Sequence, residues 1–318
     1  MPAVPSALAG ERIDRVVALL TGSTRAAASD LIAAAKVEVD GVIVTKGSAR
    51  VSEGSVIEVT IDEPEAREVL AADPGVDVNV VHEDADFVVV DKPAGLIVHP
   101  GAGNRTGTLV QGLLARYPEI ASVGDPARPG IVHRIDKDTS GLLAVARSEL
   151  GYLHLSAQIA AHDVTRRYLA LVWGHPDAPR GMIDAPIGRS ARTPTRMAVS
   201  ARGREARTTY EVVETYDDPA AVALLACTLD TGRTHQIRVH LQTIGHAVVG
   251  DRRYGGHREP FTHLGRFFLH AEHLELEHPA TGERVAFDSA LAPELQAFIS
   301  QLRATASRPA PSSPRRPE

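Results

Sequence analysis

The chain of 318 residues holds a single cysteine, Cys227, which excludes an internal disulfide and a cysteine-built zinc site. Lysine is scarce: four of the 34 basic residues are lysine, and that bias, with the many alanines, reflects a GC-rich genome more than a function. No apolar run approaches the roughly 18 residues that a membrane-spanning helix requires. The opening stretch MPAVPSALAGER sets prolines where a secretory signal needs a basic patch and an unbroken apolar core. These absences point to a soluble, cytoplasmic protein with no membrane partner. What is present, 43% apolar and 23% charged residues, allows enough burial to offset chain entropy and excludes wholesale disorder. The length suggests two domains.

The net charge of −6 is unevenly spread. Residues 1–61 carry −1, 62–130 carry −7, 131–240 carry +2 and 241–318 are neutral. Within 180–210 the balance is +5, and every cation there is an arginine. An acidic total therefore conceals a basic strip that suits either a solvated loop or a nucleic-acid partner.

Residues 1–61 read as a first domain, a small α/β module. Ile13, Val16, Val17 and Leu20 follow helical spacing, and a second helix is expected near 24–35 behind Ser23 or Thr24 as cap. Two short alternating stretches, 37–44 and 55–61, follow, with Asp40-Gly41 as a tight turn. This pattern resembles the S4 RNA-binding domain, and the resemblance implies that Arg12, Arg15, Arg25 and Lys36 face RNA. One departure stands out. Where that family ends its second helix on glycine, this chain has Ala35-Lys36, so either a left-handed residue there costs on the order of 1 kcal/mol or the helix ends another way.

Residues 62–78 are acidic, hold two prolines and lack a period, and read as a linker. From 79 to 303 strands dominate, expected at 79–82, 87–90, 96–98, 141–146, 167–173, 206–214 and 221–229. Helices are expected at 107–116, 149–161, 234–244 and 293–302. Meander-like runs without regular βαβ alternation indicate an α+β fold with a mixed, largely antiparallel sheet and flanking helices. Residues 304–318 read as a disordered Pro/Ser/Arg tail. No sustained heptad appears, which points to a monomer.

Three segments could carry chemistry. In 130–146 (GIVHRIDKDTSGLLAVA), two apolar runs flank a polar loop with His133, Arg134, Asp136, Lys137 and Asp138. Rigid flanking strands would hold such a loop in place for catalysis, and the same residues also suit a plain turn stapled by Asp138 and Ser140. In 230–245 (DTGRTHQIRVHLQTIG), Thr234 can cap a helix closing at Gly245. Ile237, Leu241 and Ile244 would form its buried stripe, while His235, Arg238 and Gln242 project together from another face. A cation on such a helix is placed to pair with a carboxylate from another element. In 165–174, Tyr168 is either a stacking platform or an ordinary strand aromatic.

Taken in order, these segments resemble the RluA/RluD-type RNA pseudouridine synthases. His133-Arg134-Ile135-Asp136 with Thr139-Ser140-Gly141 nearly matches that family's H-R-L-D-x-x-T-S-G signature. Asp91-Lys92-Pro93 precedes it, and Arg167-Tyr168 and Thr231-Gly-Arg-Thr-His-Gln-Ile-Arg238 follow. The resemblance covers about 79–300 and implies the pseudouridine synthase fold. It also implies the roles: Asp136 as the catalytic aspartate, Arg134 entering the RNA where the target uridine leaves the stack, and Tyr168 packing on the flipped uracil and assisting proton removal. Arg238 is implied as the ion-pair partner of Asp136, with Arg233 as the weaker alternative. His235 and Gln236 are implied to support the site. Large-subunit (23S) ribosomal RNA is the implied substrate, with transfer RNA as the alternative.

Isomerising uridine breaks N1–C1′ and joins C5 to C1′ with no group gained or lost, so neither cofactor nor metal is called for. It requires a carboxylate beside the sugar, a cation to keep it charged, and extrusion of the base. The arginines of 180–207 are candidate phosphate contacts. Rival readings are weaker. A metal-dependent hydrolase built on His263, His270, His273 and His278 meets the difficulty that strand alternation sends His270 and His273 to opposite faces. Gly101–Gly107 lacks the Lys-Ser/Thr of a phosphate loop. A purely RNA-binding protein has no need of Asp136.

Overall fold

The computed structural model describes residues 4–60, 70–101 and 103–306. The chain forms two compact units, Met1–Val69 and Leu70–Glu318. Positions 62–69 of the expected linker and 307–318 of the expected tail lie outside the described residues.

In the first unit, α1 (Ile13–Thr21) and α2 (Arg25–Ala33) pack on a three-stranded antiparallel sheet of β1 (Val37–Val39), β2 (Val42–Ile43) and β3 (Ile57–Val59), in the order β2-β1-β3. The Thr24 hydroxyl caps α2 by accepting from the Ala27 N–H at 3.3 Å. Ile13, Val16 and Val17 are buried as their spacing predicts, whereas Leu20 is exposed. Asp40 and Gly41 both have positive φ, 52° and 78°, which fits a tight hairpin turn. Ala35 also enters the left-handed region, at φ 59°, and accepts the strain that glycine would avoid.

A nine-stranded mixed sheet organises the second unit. In chain order its strands are β4 (Val80–Glu83), β5 (Phe87–Lys92), β6 (Ser140–Ala146), β7 (Thr165–Trp173), β8 (Arg180–Asp184), β11 (Arg207–Tyr216), β12 (Val222–Leu229), β13 (Leu269–Glu277) and β14 (Arg284–Asp288). A separate hairpin pairs β9 (Ile187–Arg189) with β10 (Met197–Val199). The spatial order is β4-β5-β6-β13-β7-β12-β11-β8, with β14 on β13. All pairings are antiparallel except β6 with β13.

Alternate side chains feed two cores. Val88 and Val90 face one side, with Leu143, Val145, Ala170 and Leu225, under α3 (Leu109–Arg116) and α5 (Gln236–Thr243). Phe87, Val89, Leu142 and Ala144 face the other, under α4 (Glu149–Ala160). Further along that second face Leu171, Leu224 and Phe268 meet α6 (Pro293–Ala306). Because both faces are covered, the central strands read as continuous apolar runs.

Several expectations need correction. The stretch 96–98 is no strand: Ile97 forms only an isolated bridge to Thr108. Residues 131–132 likewise form no strand, since Ile131 makes a single bridge to Val145. Residues 70–78 run along α3, with the Asp73 N–H donating to the Gln111 carbonyl at 2.9 Å and Val78 buried. Acidic composition hid those apolar anchors. The final helix continues through Ala306, past the expected start of the tail. Thr234 does not cap α5, because His235 occupies the cap position in the left-handed region, and Ile244 is 37% exposed instead of buried.

The parallel contact of β6 with β13 explains one glycine. Gly141 has φ +107°, and a Cβ there would stand 2.2 Å from the Ala271 carbonyl oxygen. Only glycine fits this close approach, directly after the loop that carries Asp136.

Candidate active site

Asp136 sits in the loop that leads into β6. Its carbonyl accepts from the Thr139 N–H at 3.1 Å, and the neighbouring Lys137 carbonyl accepts from both the Gly95 N–H and the Lys92 ammonium, each at 2.9 Å. Lys92, at the end of β5, is buried and also donates to the carbonyls of Pro93 and Leu96, both at 2.8 Å. Three N–H donors thus meet three carbonyls and pin the loop to the sheet. Burial, with a smaller contribution from Arg266, pushes the Lys92 pKa down to about 7, and Asp138 and Asp136 oppose the shift.

His133 faces inward at the start of this loop. Its Nε2 accepts from the Ala144 N–H at 3.0 Å, and burial pushes its pKa down to about 3, so it is neutral and structural at physiological pH.

Arg238, on α5, reaches the same loop. Its Nη1 donates to Asp136 Oδ2 at 2.8 Å, while Nε and Nη2 donate to Asp251 at 2.6 and 3.0 Å. The side chains of Asp136, Arg238 and Asp251 are 17%, 7% and 1% exposed, so the pairing is progressively sealed from water. The guanidinium also lies over the rings of Phe267 and Tyr254, at 4.2 and 5.0 Å from their centres. Burial alone would lower the Arg238 pKa, but the hydrogen bond to Asp251 and the charges of both aspartates raise it. Asp251 in turn accepts from the backbone N–H groups of Arg253 and Tyr254, at 3.0 and 3.1 Å.

Two cavities share Asp136 and Arg238. The larger, about 740 Å³, is an open cleft whose polar rim includes Arg134, Lys137, Arg252, Arg253 and Arg266. A smaller one, lined by the apolar Tyr168, Leu229, Ile237 and Leu269 and the polar Thr139, Arg166 and Arg233, adjoins it. Tyr168, on β7, is buried, and desolvation pushes its phenol up to about 12, with Arg166 opposing and Asp136 adding to the shift. The phenol therefore holds its proton at neutral pH.

The structure brings Asp136, Tyr168, Arg238, Arg134 and Arg233 to one place. Arg134 is exposed at the mouth, with Nη1 3.3 Å from His99 Nε2. Arg233 does not pair with Asp136; its Nε donates to the Glu205 carbonyl at 2.8 Å. His235 and Gln236 support the site: His235 Nδ1 lies 2.7 Å from the Tyr254 hydroxyl, and the Gln236 amide group bonds Thr231, Thr208 and the backbone of Arg207 and Arg233. Arg12, Arg15, Arg25 and Lys36 belong to the first unit. There Arg12 and Arg25 both bind the buried Asp14, at 2.6 and 3.1 Å, and Arg15 binds Glu11 at 2.9 Å.

Sequence reasoning missed Asp251, Arg166 and the arginine pair 252–253. The signal for one group was the glycine-flanked turn Gly250-Asp-Arg-Arg-Tyr-Gly255, which sets an acid and two cations at the cleft.

A mixed sheet with a paired aspartate and arginine in a basic cleft fits an enzyme of nucleic-acid chemistry. A family model described as RNA pseudouridylate synthase matches residues 86–243, and an S4 domain model matches 11–57. The chain belongs to the RNA pseudouridylate synthase family, whose members are isomerases. It is 44% identical to the uncharacterized RNA pseudouridine synthase YlyB of Bacillus subtilis, over 83% of this chain and 86% of that protein. It is 39% identical to ribosomal large subunit pseudouridine synthase D of Zymomonas mobilis, over 92% and 94% respectively. Among solved structures it resembles human RNA pseudouridylate synthase domain containing 1, with TM-score 0.56 and 27% identity over 72% of this chain and 95% of that one.

Proposed function

We propose that this pseudouridine synthase isomerises specific uridines of 23S ribosomal RNA in the cytoplasm, acting as a monomer on a nucleotide swung out of its helix. Asp136 is the reactive carboxylate beside the sugar of that nucleotide. Arg238 pairs with it and keeps its charge favourable once water has left. Tyr168 packs on the extruded uracil; a phenol at about 12 suits stacking better than proton removal from the resting enzyme. Arg134, exposed at the mouth, enters the space the base vacates, and Arg233 and the arginines of 180–207 meet phosphate. The S4-like domain, residues 1–61, adds RNA contacts through Arg12, Arg15, Arg25 and Lys36, and the catalytic site belongs to the second unit, Leu70–Glu318.

The observation that carries this reading is the 2.8 Å pair of Asp136 and Arg238 at the border of a cavity lined by Tyr168. Kinship with enzymes named for the ribosomal large subunit supports the choice of RNA. The chemistry needs an extruded base, because neither C1′ nor C5 is open to a carboxylate inside a stacked duplex. Extrusion costs a few kcal/mol, which base stacking and phosphate contacts offset.

The Asp136→Asn variant is expected to lose pseudouridine formation while RNA affinity stays within a few fold, read by single-turnover assay and filter binding. Wild-type turnover in that variant would remove Asp136 from the chemistry. Mapping pseudouridines in total RNA of a deletion strain identifies the substrate: missing sites in transfer RNA, with 23S ribosomal RNA intact, would overturn the ribosomal assignment.

A further inference from the structure

Among the described residues, two buried side-chain polar atoms lack a hydrogen-bond partner: Thr139 Oγ1 and Arg166 Nε. Both residues line the small cavity beside Asp136 and Tyr168. Thr139 is 1% and Arg166 4% exposed, and an unpaired polar group at that depth is costly unless something else satisfies it.

Among the described residues, Arg166 is also a buried cation that no carboxylate hydrogen-bonds, although the charge of Asp230 offsets part of its desolvation. Its Nη2 donates to the carbonyls of Asp230 and Leu229, at 3.1 and 3.4 Å, and among the described residues it forms no ion pair. Arg238, by contrast, faces two aspartates. The backbone clamp holds the Arg166 guanidinium still. Gly232, at the cavity wall, leaves room for it, since a Cβ there would lie 3.0 Å from Nη1. A fixed, desolvated and only partly compensated guanidinium at a cavity wall is complementary to negative charge that appears there only during reaction.

The isomerisation supplies such charge. Heterolysis of N1–C1′ leaves its electron pair on uracil, spread over N1, O2, C5 and O4. The electron pair at C5 then forms the new bond to C1′, and the proton on C5 is lost as N1 gains one, so the balance closes without a co-reactant. If the carboxylate first added to C6, the ring would again become anionic, with charge on O4.

We propose that Arg166 meets the negative charge that develops on the detached or activated uracil ring, through the unpaired side of its guanidinium. This role rests on the site assignment made above. Asp136 and Arg166 then act on opposite ends of the same bond, the first toward the sugar and the second toward the departing base.

The test compares 23S ribosomal RNA transcribed with uridine and with 5-fluorouridine, whose fluorine makes the base a better leaving group that needs less stabilisation. Consumption of the target nucleotide is followed by chromatography of nuclease digests under single turnover. Arg166→Met should slow uridine by about 10²–10³-fold with RNA affinity unchanged. Its deficit on 5-fluorouridine should be at least about tenfold smaller, and Arg166→Lys should recover part of the loss. Equal losses on both RNAs in a variant with wild-type melting behaviour would overturn the role of Arg166, because a merely structural lesion does not sense the leaving group. Should Arg166→Met fail to fold, Arg166→Lys carries the same comparison. Asp136→Asn, run alongside, separates the two readings. Activity left in that variant overturns the site itself, whereas inactivity there with an unmoved substrate ratio in the Arg166 variants overturns only the present inference.

Discussion

Asp251 grips Arg238 with both carboxylate oxygens, at 2.6 and 3.0 Å, leaving only Nη1 to reach the aspartate in the loop before β6. One guanidinium thus joins a buried anchor to the group assigned to chemistry. The arrangement fixes the direction from which the cation approaches, which a lysine with its single ammonium could not do.

Removing the anchor should therefore damage turnover more than binding. Asp251→Ala leaves Arg238 half-compensated in a sealed site, and breaking such a pair costs about 3–5 kcal/mol. Asp251→Asn keeps the shape with a weaker grip and is the cleaner variant for kinetics. We expect kcat to fall about 10–100-fold with KM nearly unchanged, since the lost alignment matters at the reacting centre. A rise in KM at constant kcat would show that Asp251 serves RNA binding instead.

Lys92 gives a stability prediction with a defined sign. Its folded pKa of about 7 lies below the ordinary 10.5, so the folded chain sheds this proton first. Between about 7 and 10.5 the unfolded chain binds more protons, and the contribution of Lys92 to stability rises with pH across that window. Below it both states are protonated and the dependence vanishes. Urea unfolding of the wild type and Lys92→Met from pH 6 to 10 should show a free-energy difference that shifts toward the wild type, by at most about 1.4 kcal/mol per pH unit. A difference that stays constant over this range would mean that the three carbonyls hold the ammonium charged.

Strands β4 to β7, β11 and β12 were legible as apolar or alternating runs, whereas β8, β9, β10, β13 and β14 were not among the expected strands, and the Asp136–Arg238 pair followed from the family resemblance. Arg166 was not legible, because Arg166 and Arg167 look alike in sequence and only the strand register separates them. The pleat of β7 turns Arg166 inward and sends Arg167 to Glu272 at 2.7 Å. Asp251 was hidden for another reason, since its partner lies on a helix that packs against it only in the folded chain. The parallel contact between Gly141 and Ala271 is equally remote in sequence, so the glycine could be noted but not explained. Capping logic failed at α5 because backbone geometry at His235, φ 59°, replaced the expected threonine cap.

The S4-like unit redistributes the cations expected to touch RNA. Arg12 and Arg25 share Asp14, whose pKa the Arg12 hydrogen bond lowers to about 2 against the opposing effect of burial, with Arg25 assisting. That carboxylate supports the folded unit fully above its ordinary 3.8, and the support is lost as pH falls toward 2. Arg12 and Arg25 are thus tied to structure, so replacing them confuses stability with binding. Arg15 is different, because its exposed pair with Glu11 is worth little and trades readily for a phosphate. Together with Lys36 it offers the better test. In the full chain, Arg15→Gln with Lys36→Gln should reduce the slope of log affinity against log salt by about 1 to 2, as expected for two lost phosphate contacts. The rate of the bound complex under single turnover should not change, because neither residue belongs to the Asp136 site. An unaltered salt slope would assign these cations to something other than RNA.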